Sequence, residues 1–261
     1  MLLTVGDIAK AMESFAPLSL AEEGDNVGLL VGSFSKEVDT VFVTLDADPD
    51  CVDEAISLNA DLIIAHHPLI YRPVSSLRCD DYISASIMKL VKHDVCLYAA
   101  HTNLDWCDGG VNDSLCETLG LYDVSPLCVN PANGAKQGRI GYTDDCCLHS
   151  FAEAAGKALD SKLRYSGSGE KTVKKIAVCG GSGAFLLHKA IEERCDVYLT
   201  GEMGYHAVQS AYFNGLPVVE TGHFHSENIV VKTVANFIKM MYNCVNVVCS
   251  TRTDCYLRFY E

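Results

Sequence analysis

The segment LIIAHHPLI, residues 62–70, runs four apolar residues directly into His66 and His67. Side-chain alternation relaxes at a strand's end, so adjacent imidazoles there can splay towards neighbouring cations. Two further segments carry matching chemistry. HTNLD places His101 and Asp105 four residues apart, and HFHSE does the same with His223 and Glu227. On a helix that spacing puts imidazole and carboxylate on one face, within reach of one ion. Taken singly, the histidine pair reads equally as a loop feature, and each His–acid pair as a helix cap with a surface salt bridge. Together they point to a metal centre. Four histidines and two carboxylates exceed what one tetrahedral ion with an open position needs. They suit two ions about 3.5–4 Å apart with a bridging carboxylate, a device that makes hydroxide from bound water near neutral pH. The implied chemistry is hydrolytic. Imidazole and carboxylate together admit Zn, Fe, Mn, Ni or Co.

Other constellations compete. TGEMGYH sets Glu202 and His206 four apart, as supporting or substrate-facing groups or as a salt-bridged helix surface. CGGSGAF, residues 179–185, begins a dinucleotide-binding glycine fingerprint, but Leu186 stands where its last glycine belongs. Its G-x-S-x-A resembles a nucleophile elbow and makes Ser182 the nucleophile of an alternative serine hydrolase. A tight turn opening a helix explains the same letters. His93, His149, His188 and His225 lack a partner pattern and read as structural. Trp106 either packs over the site or fills the core.

The elements that must position these residues alternate. TVFVTL, DLIIA and VCLYAA read as buried strands separated by helical segments, which predicts a mainly parallel sheet covered by helices. KKIAVCG, DVYLTG and LPVVETG repeat the pattern. A slide of 135 residues lays Asp61 on Asp196, and His66 and His67 on Gly201 and Glu202; a slide of 122 lays His101 on His223 and Asp105 on Glu227. The chain therefore reads as an α/β protein of two intertwined repeats with mixed, mostly parallel sheets. Residues 1–125 with 220–261 form a first unit carrying most candidate ligands, and 126–219 a second. Within the second, 126–172 is a joint or an inserted hairpin, being rich in turn residues. Function gathers at the carboxyl ends of such strands, where His66–His67, His101–Asp105, Gly201–Glu202 and His223–Glu227 fall.

Composition bounds the rest. With 261 residues and 49% hydrophobic residues, a substantial core can form. A net charge of −14 disfavours nucleic-acid binding. No apolar run is long enough to span a bilayer, and the amino-terminal segment reads as an amphipathic helix and not as an export signal. The 13 cysteines include no C-x-x-C, so they read as reduced thiols of a cytoplasmic protein.

Six ordered blocks sharpen this reading: DNVGLLVG (25–32), AHHPLIYRP (65–73), HTNLDWCDGGVND (101–113), CGGSG (179–183), DVYLTGEMGYH (196–206) and GHFHSE (222–227). Across nearly the whole chain they resemble the dinuclear metal-centre proteins related to NGG-one-interacting factor three, often named GTP cyclohydrolase I type 2 homologs. The resemblance implies two divalent ions per chain held by His66, His67, Asp105, His223 and Glu227. Glu227 would bridge, with His66 and Asp105 on one ion and His67 and His223 on the other. His101 would be a further ligand or a supporting partner. The resemblance also implies a homohexameric ring and a small-molecule substrate, nucleotide-like or phosphorylated. Gly24, where many members have Trp, and Trp106–Cys107, where smaller residues are usual, depart from the pattern. A non-catalytic metal-binding scaffold is the alternative from another functional class.

Overall fold

The computed structural model describes residues 2–252 and 256–257. The chain forms two compact α/β units. One runs to Cys107 and resumes at Val231; the other spans Asp108 to Val230.

In chain order the first unit contributes α1 (Val5–Phe15), β1 (Gly28–Val31), β2 (Thr40–Asp46), α2 (Pro49–Ser57), β3 (Leu62–His67), α3 (Tyr82–Lys92), β4 (Cys96–Ala99) and α4 (Thr102–Trp106). The second holds α5 (Val111–Thr118), β5 (Tyr122–Val129), β6 (Lys136–Cys147), α6 (Leu148–Ala158), β7 (Arg164–Tyr165), β8 (Thr172–Ser182), α7 (Leu187–Glu192), β9 (Val197–Glu202), α8 (Tyr205–Phe213), β10 (Val218–Glu220) and α9 (His223–Glu227). The chain then enters α10 (Val230–Met241) and β11 (Asn246–Cys249), which complete the first unit.

The first sheet has the order β1-β4-β3-β2-β11, with only β1 antiparallel to its neighbour. Local chemistry sets the crossovers. Asp48 caps α2 through the Cys51 N–H, with Pro49 at the first helical position, and Asp81 caps α3 through the Ser84 N–H. Phe42, Val52, Ile63, Leu90 and Leu97 are buried in one core cluster between sheet and helices. Register is what matters for function. Asp46 lies opposite His67 and Ala65 opposite Ala99, so β2, β3 and β4 end nearly level, and His101 follows two residues after β4.

The second sheet has the order β5-β6-β8-β9-β10-β7. Only β8–β9 and β9–β10 pair parallel; the other three pairings are antiparallel. This is less parallel than the sequence pattern suggests. The segment expected as a joint or hairpin supplies part of β5 together with β6 and β7: a short reversal pairs β5 with β6, while β6 reaches β8 only after α6 and β7, and β7 pairs with the distant β10. The repeat is visible in element order: β2-α2-β3-α3-β4-α4 matches β8-α7-β9-α8-β10-α9, and the two slides superpose β3 on β9 and α4 on α9.

The observed divisions fall at Cys107/Asp108 and Val230/Val231, whereas the sequence pattern suggests 125/126 and 219/220. Hydrogen bonds account for the shift. On α5, Asn112 Oδ1 accepts from the Gly180 N–H of β8, and Asp113 pairs with the buried Arg139 of β6. On α9, Ser226 Oγ accepts from the Gly181 N–H. His223 and Glu227 therefore belong to the second unit.

All twelve cysteines among the described residues are free thiols; Cys255 lies outside the described residues. Among the described residues no helix is long and apolar enough to cross a membrane.

Candidate functional site

The first unit gathers His66, His67, His101 and Asp105 at the carboxyl ends of β3 and β4. Ligand nitrogens of the three histidines lie within 4.8 Å of one another. Their ring centroids are 4.9 to 5.7 Å apart. His66 is buried, and its Nε2 lies 3.6 Å from Asp105 Oδ1.

Each ring is held from behind by an oxygen. His66 Nδ1 is 2.8 Å from the Ala100 carbonyl, which can only accept, so that nitrogen carries the proton. His67 Nδ1 is 2.8 Å from Asp46 Oδ1, and His101 Nδ1 is 2.9 Å from Asp25 Oδ1. The Asp25 carboxylate also accepts from the Thr102 N–H and hydroxyl. Burial alone would raise its pKa; the hydrogen bonds from His101 and Thr102 outweigh that and bring it to about 2.

The second unit supplies His223 and Glu227 from α9. His223 Nδ1 is 3.1 Å from Glu202 Oε1, and its Nε2 is 3.0 Å from Glu227 Oε2. Glu227 is buried. The glycine loop makes room for it: a Cβ on Gly181, which has φ +60°, would fall 2.1 Å from Glu227 Oε1. A Cβ on Gly201 would fall 2.5 Å from Ser226 Oγ. These glycines therefore serve close approach of α9 to the ends of β8 and β9. Where the first repeat places His66 and His67, the second places a glycine that admits a helix and a carboxylate that orients His223.

The donor chemistry fits a divalent cation. Imidazole nitrogens whose far side is fixed by a carbonyl or carboxylate are the usual arrangement around such ions. All four candidate histidines have it.

The other residues singled out in the sequence take the following places. Glu202 ends β9 and pairs with His223, while His206 sits on α8 with its ring 5.4 Å from Tyr205. Ser182 ends β8 beside Glu202, and among the described residues no hydrogen bond joins its hydroxyl to a histidine. Trp106 is buried. His149 Nδ1 pairs with the Tyr165 hydroxyl. Sequence reasoning assigned no role to Asp25 or Asp46. Both carried a signal: Asp25 opens the DNVGLLVG block, and Asp46 ends the strand beside LIIAHH.

A family model described as Duf34/NIF3 (NGG1p interacting factor 3) matches residues 3–255. A GTP cyclohydrolase 1 type 2 homolog of Clostridium perfringens is 35% identical over 240 residues, covering 91% of this chain and 92% of that protein. The crystal structure of a Bacillus cereus protein related to NIF3 superposes with a TM-score of 0.92 at 27% identity, over 99% of each chain. A Staphylococcus aureus hypothetical protein does so at 0.93 and 26%, over 100% of each.

Proposed function

The chain belongs to the Duf34/NIF3 family, and on that premise we propose a cytoplasmic, dinuclear divalent-metal protein that hydrolyses a nucleotide-like or phosphorylated small molecule. His66, His67, Asp105, His223 and Glu227 are the ligands, with Glu227 shared. The observation that carries this reading is the fixing of every candidate imidazole at Nδ1 by an oxygen. Such fixing leaves Nε2 as the ligating atom and supports its basicity. Helix caps and surface salt bridges do not require it four times over.

Divalent ions would supply charge stabilisation and lower the pKa of a water. The chain's own residues do the rest. Asp46, Asp25 and Glu202 hold imidazoles in orientation. Tyr71, half exposed, stands edge-on to His101 at 6.2 Å, and the Arg72 guanidinium lies 5.1 Å over its ring. An aromatic face with a cation beside it suits a planar or phosphorylated substrate. The name of the Clostridium perfringens relative points to the same class. A homohexamer is part of the proposal, and light scattering of the purified protein tests it.

Metal analysis tests the centre. About two ions per chain are expected, with fewer in His67→Ala and in Glu227→Gln; full occupancy in both variants would refute it. Turnover of a nucleotide panel with added Mn, Zn or Fe tests catalysis. Activity no higher than that of His67→Ala would reduce the proposal to a non-catalytic metal protein, and hydrolysis lost only in Ser182→Ala would transfer it to the serine.

A further inference from the structure

Residues 250–252, which follow β11, close over the turn that carries Asp46. The backbone first continues alongside β2, where the Ser250 N–H donates to the Val43 carbonyl at 2.8 Å. The segment then grips the first turns of α2. Glu54 accepts from the Ser250 hydroxyl, the Thr251 N–H and the Thr251 hydroxyl at 2.8 to 3.0 Å. The Arg252 guanidinium donates to Asp48 and reaches Asp50 at 3.5 Å. The Arg252 N–H folds back on the segment itself and donates to Ser250 Oγ.

Two features set this contact apart from the ordinary tethering of a chain end. Its charged part is withdrawn from water, the side chains of Arg252 and Asp48 being 17% and 11% exposed. Removing one member of a charge pair so placed is expensive, so the pair holds its two segments in one arrangement. The other feature is its position. Asp48 is the N-cap of α2, two residues after Asp46, and its Oδ1 accepts from the Cys51 N–H. A line of close polar contacts also runs from Ser250 back to Asp46. Ser250 Oγ lies 3.7 Å from Cys51 Sγ, Cys51 Sγ lies 3.4 Å from Thr44 Oγ1, and the Thr44 hydroxyl is 3.0 Å from the Asp46 carbonyl. Asp46 Oδ1 in turn stands 2.8 Å from His67 Nδ1. The β2–α2 turn is thus held by residues that arrive 196 to 204 positions later in the chain.

Resting on the metal-binding reading above, we infer that Arg252 and Glu54 are positioning residues for Asp46, and that residues 250–252 form a strap which keeps that carboxylate behind His67. The strap acts on the β2–α2 turn and touches no candidate ligand. Its release lets the turn relax, and Asp46 then holds His67 less firmly. Anything that lifts residues 250–252 from α2 therefore weakens metal binding from outside the site.

The experiment measures Zn²⁺ affinity of the full chain by chelator competition, with circular dichroism as the check of folding. Arg252→Ala and Glu54→Ala should each weaken Zn²⁺ by about three- to tenfold, short of the roughly 10–100-fold usual for losing the group behind a ligating histidine outright. Arg252→Lys, which keeps the charge, should retain most of the affinity. A double-mutant cycle with Asp46→Ala separates a strap on this carboxylate from a general brace of the fold. In the Asp46→Ala background the loss from Arg252→Ala should disappear. An equal loss in both backgrounds overturns the inference, because the segment then acts elsewhere. Wild-type affinity in folded Arg252→Ala and Glu54→Ala, or in Asp46→Ala, also overturns it and leaves the metal centre standing. If Arg252→Ala does not fold, Glu54→Ala takes its place in the cycle. A wild-type chain that binds no Zn²⁺ sinks the inference together with the reading it rests on.

Discussion

Gly181→Ala separates backbone strain from crowding of a metal ligand. Gly181 has φ +60°, where an L side chain costs about 1–2 kcal/mol. Gly215, after α8, has φ +73°, and a methyl group added there would meet nothing within 4 Å, so Gly215→Ala carries the same backbone cost and no clash. Gly215→Ala should lose a few degrees in Tm for a protein of this size, and Gly181→Ala more, because its added carbon also meets Glu227. They should differ in metal binding. At Gly181 the added carbon would lie 2.1 Å from Glu227 Oε1 and 3.3 Å from His223 Nε2. The carboxylate oxygen must retreat by about 1 Å to reach ordinary contact. Displacing a ligand that far should weaken an ion at least tenfold, about 1.4 kcal/mol. Chelator competition with Zn²⁺ on wild type, Gly181→Ala and Gly215→Ala measures this directly. Wild-type affinity and two ions in Gly181→Ala would refute the packing argument. An equal loss in Gly215→Ala would assign the effect to the backbone and not to Glu227.

Other outcomes follow from the same geometry. Asp46→Ala removes the oxygen behind His67 Nδ1 and should lower metal affinity by about 10–100-fold; an unchanged affinity would count against His67 as a ligand held in this way. Arg139 is 1% exposed and donates to both Asp113 oxygens and to the Lys136 and Gly138 carbonyls. Arg139→Met should therefore cost about 3 kcal/mol in a urea melt, and a loss under about 1 kcal/mol would show that α5 is anchored otherwise. Burial pushes the Cys116 thiol up to about 12 and Cys195 to about 11, whereas hydrogen bonds with the Ser150 hydroxyl and N–H lower Cys147. At pH 8 the Cys116 thiolate fraction is then roughly 10⁻⁴, so iodoacetamide followed by mass spectrometry should label Cys147 well before Cys116. The Asp25 contribution to stability is present above the ordinary carboxylate pKa and is lost as pH falls towards about 2. Asp25→Asn should flatten that acid limb in pH-dependent melts.

Much of this was legible in the letters. The buried strands, the order of the two repeats and the His–acid spacings follow from periodicities that the backbone enforces. HHPLI stands at a strand end because the four residues before His66 are apolar and strand-forming. The oxygens behind the histidines were harder to see. Asp46 touches His67 only because β2 and β3 pair in a register that places them opposite, and register is a long-range property. Asp25 reaches His101 across 76 positions of sequence. The unit boundaries moved because α5 and α9 take their partners from β6 and β8, contacts that no local pattern announces. The glycine loop misled in an instructive way. Its spacing suggests phosphates or a nucleophile, yet its missing side chains accommodate Glu227 and Ser226 of this same chain.

The discontinuity of the first unit bears on synthesis. During translation the segment up to Cys107 precedes the second unit, but β11, the parallel neighbour of β2, emerges only after that unit. Every strand of the second unit among the described residues emerges before then. Until residues 246–249 leave the ribosome, one edge of TVFVTLD stays unpaired, an apolar β-prone segment of the kind that seeds aggregation. Chains stopping short of β11 should therefore depend on chaperones, and a late nonsense codon should be more damaging than its distance from the histidines suggests.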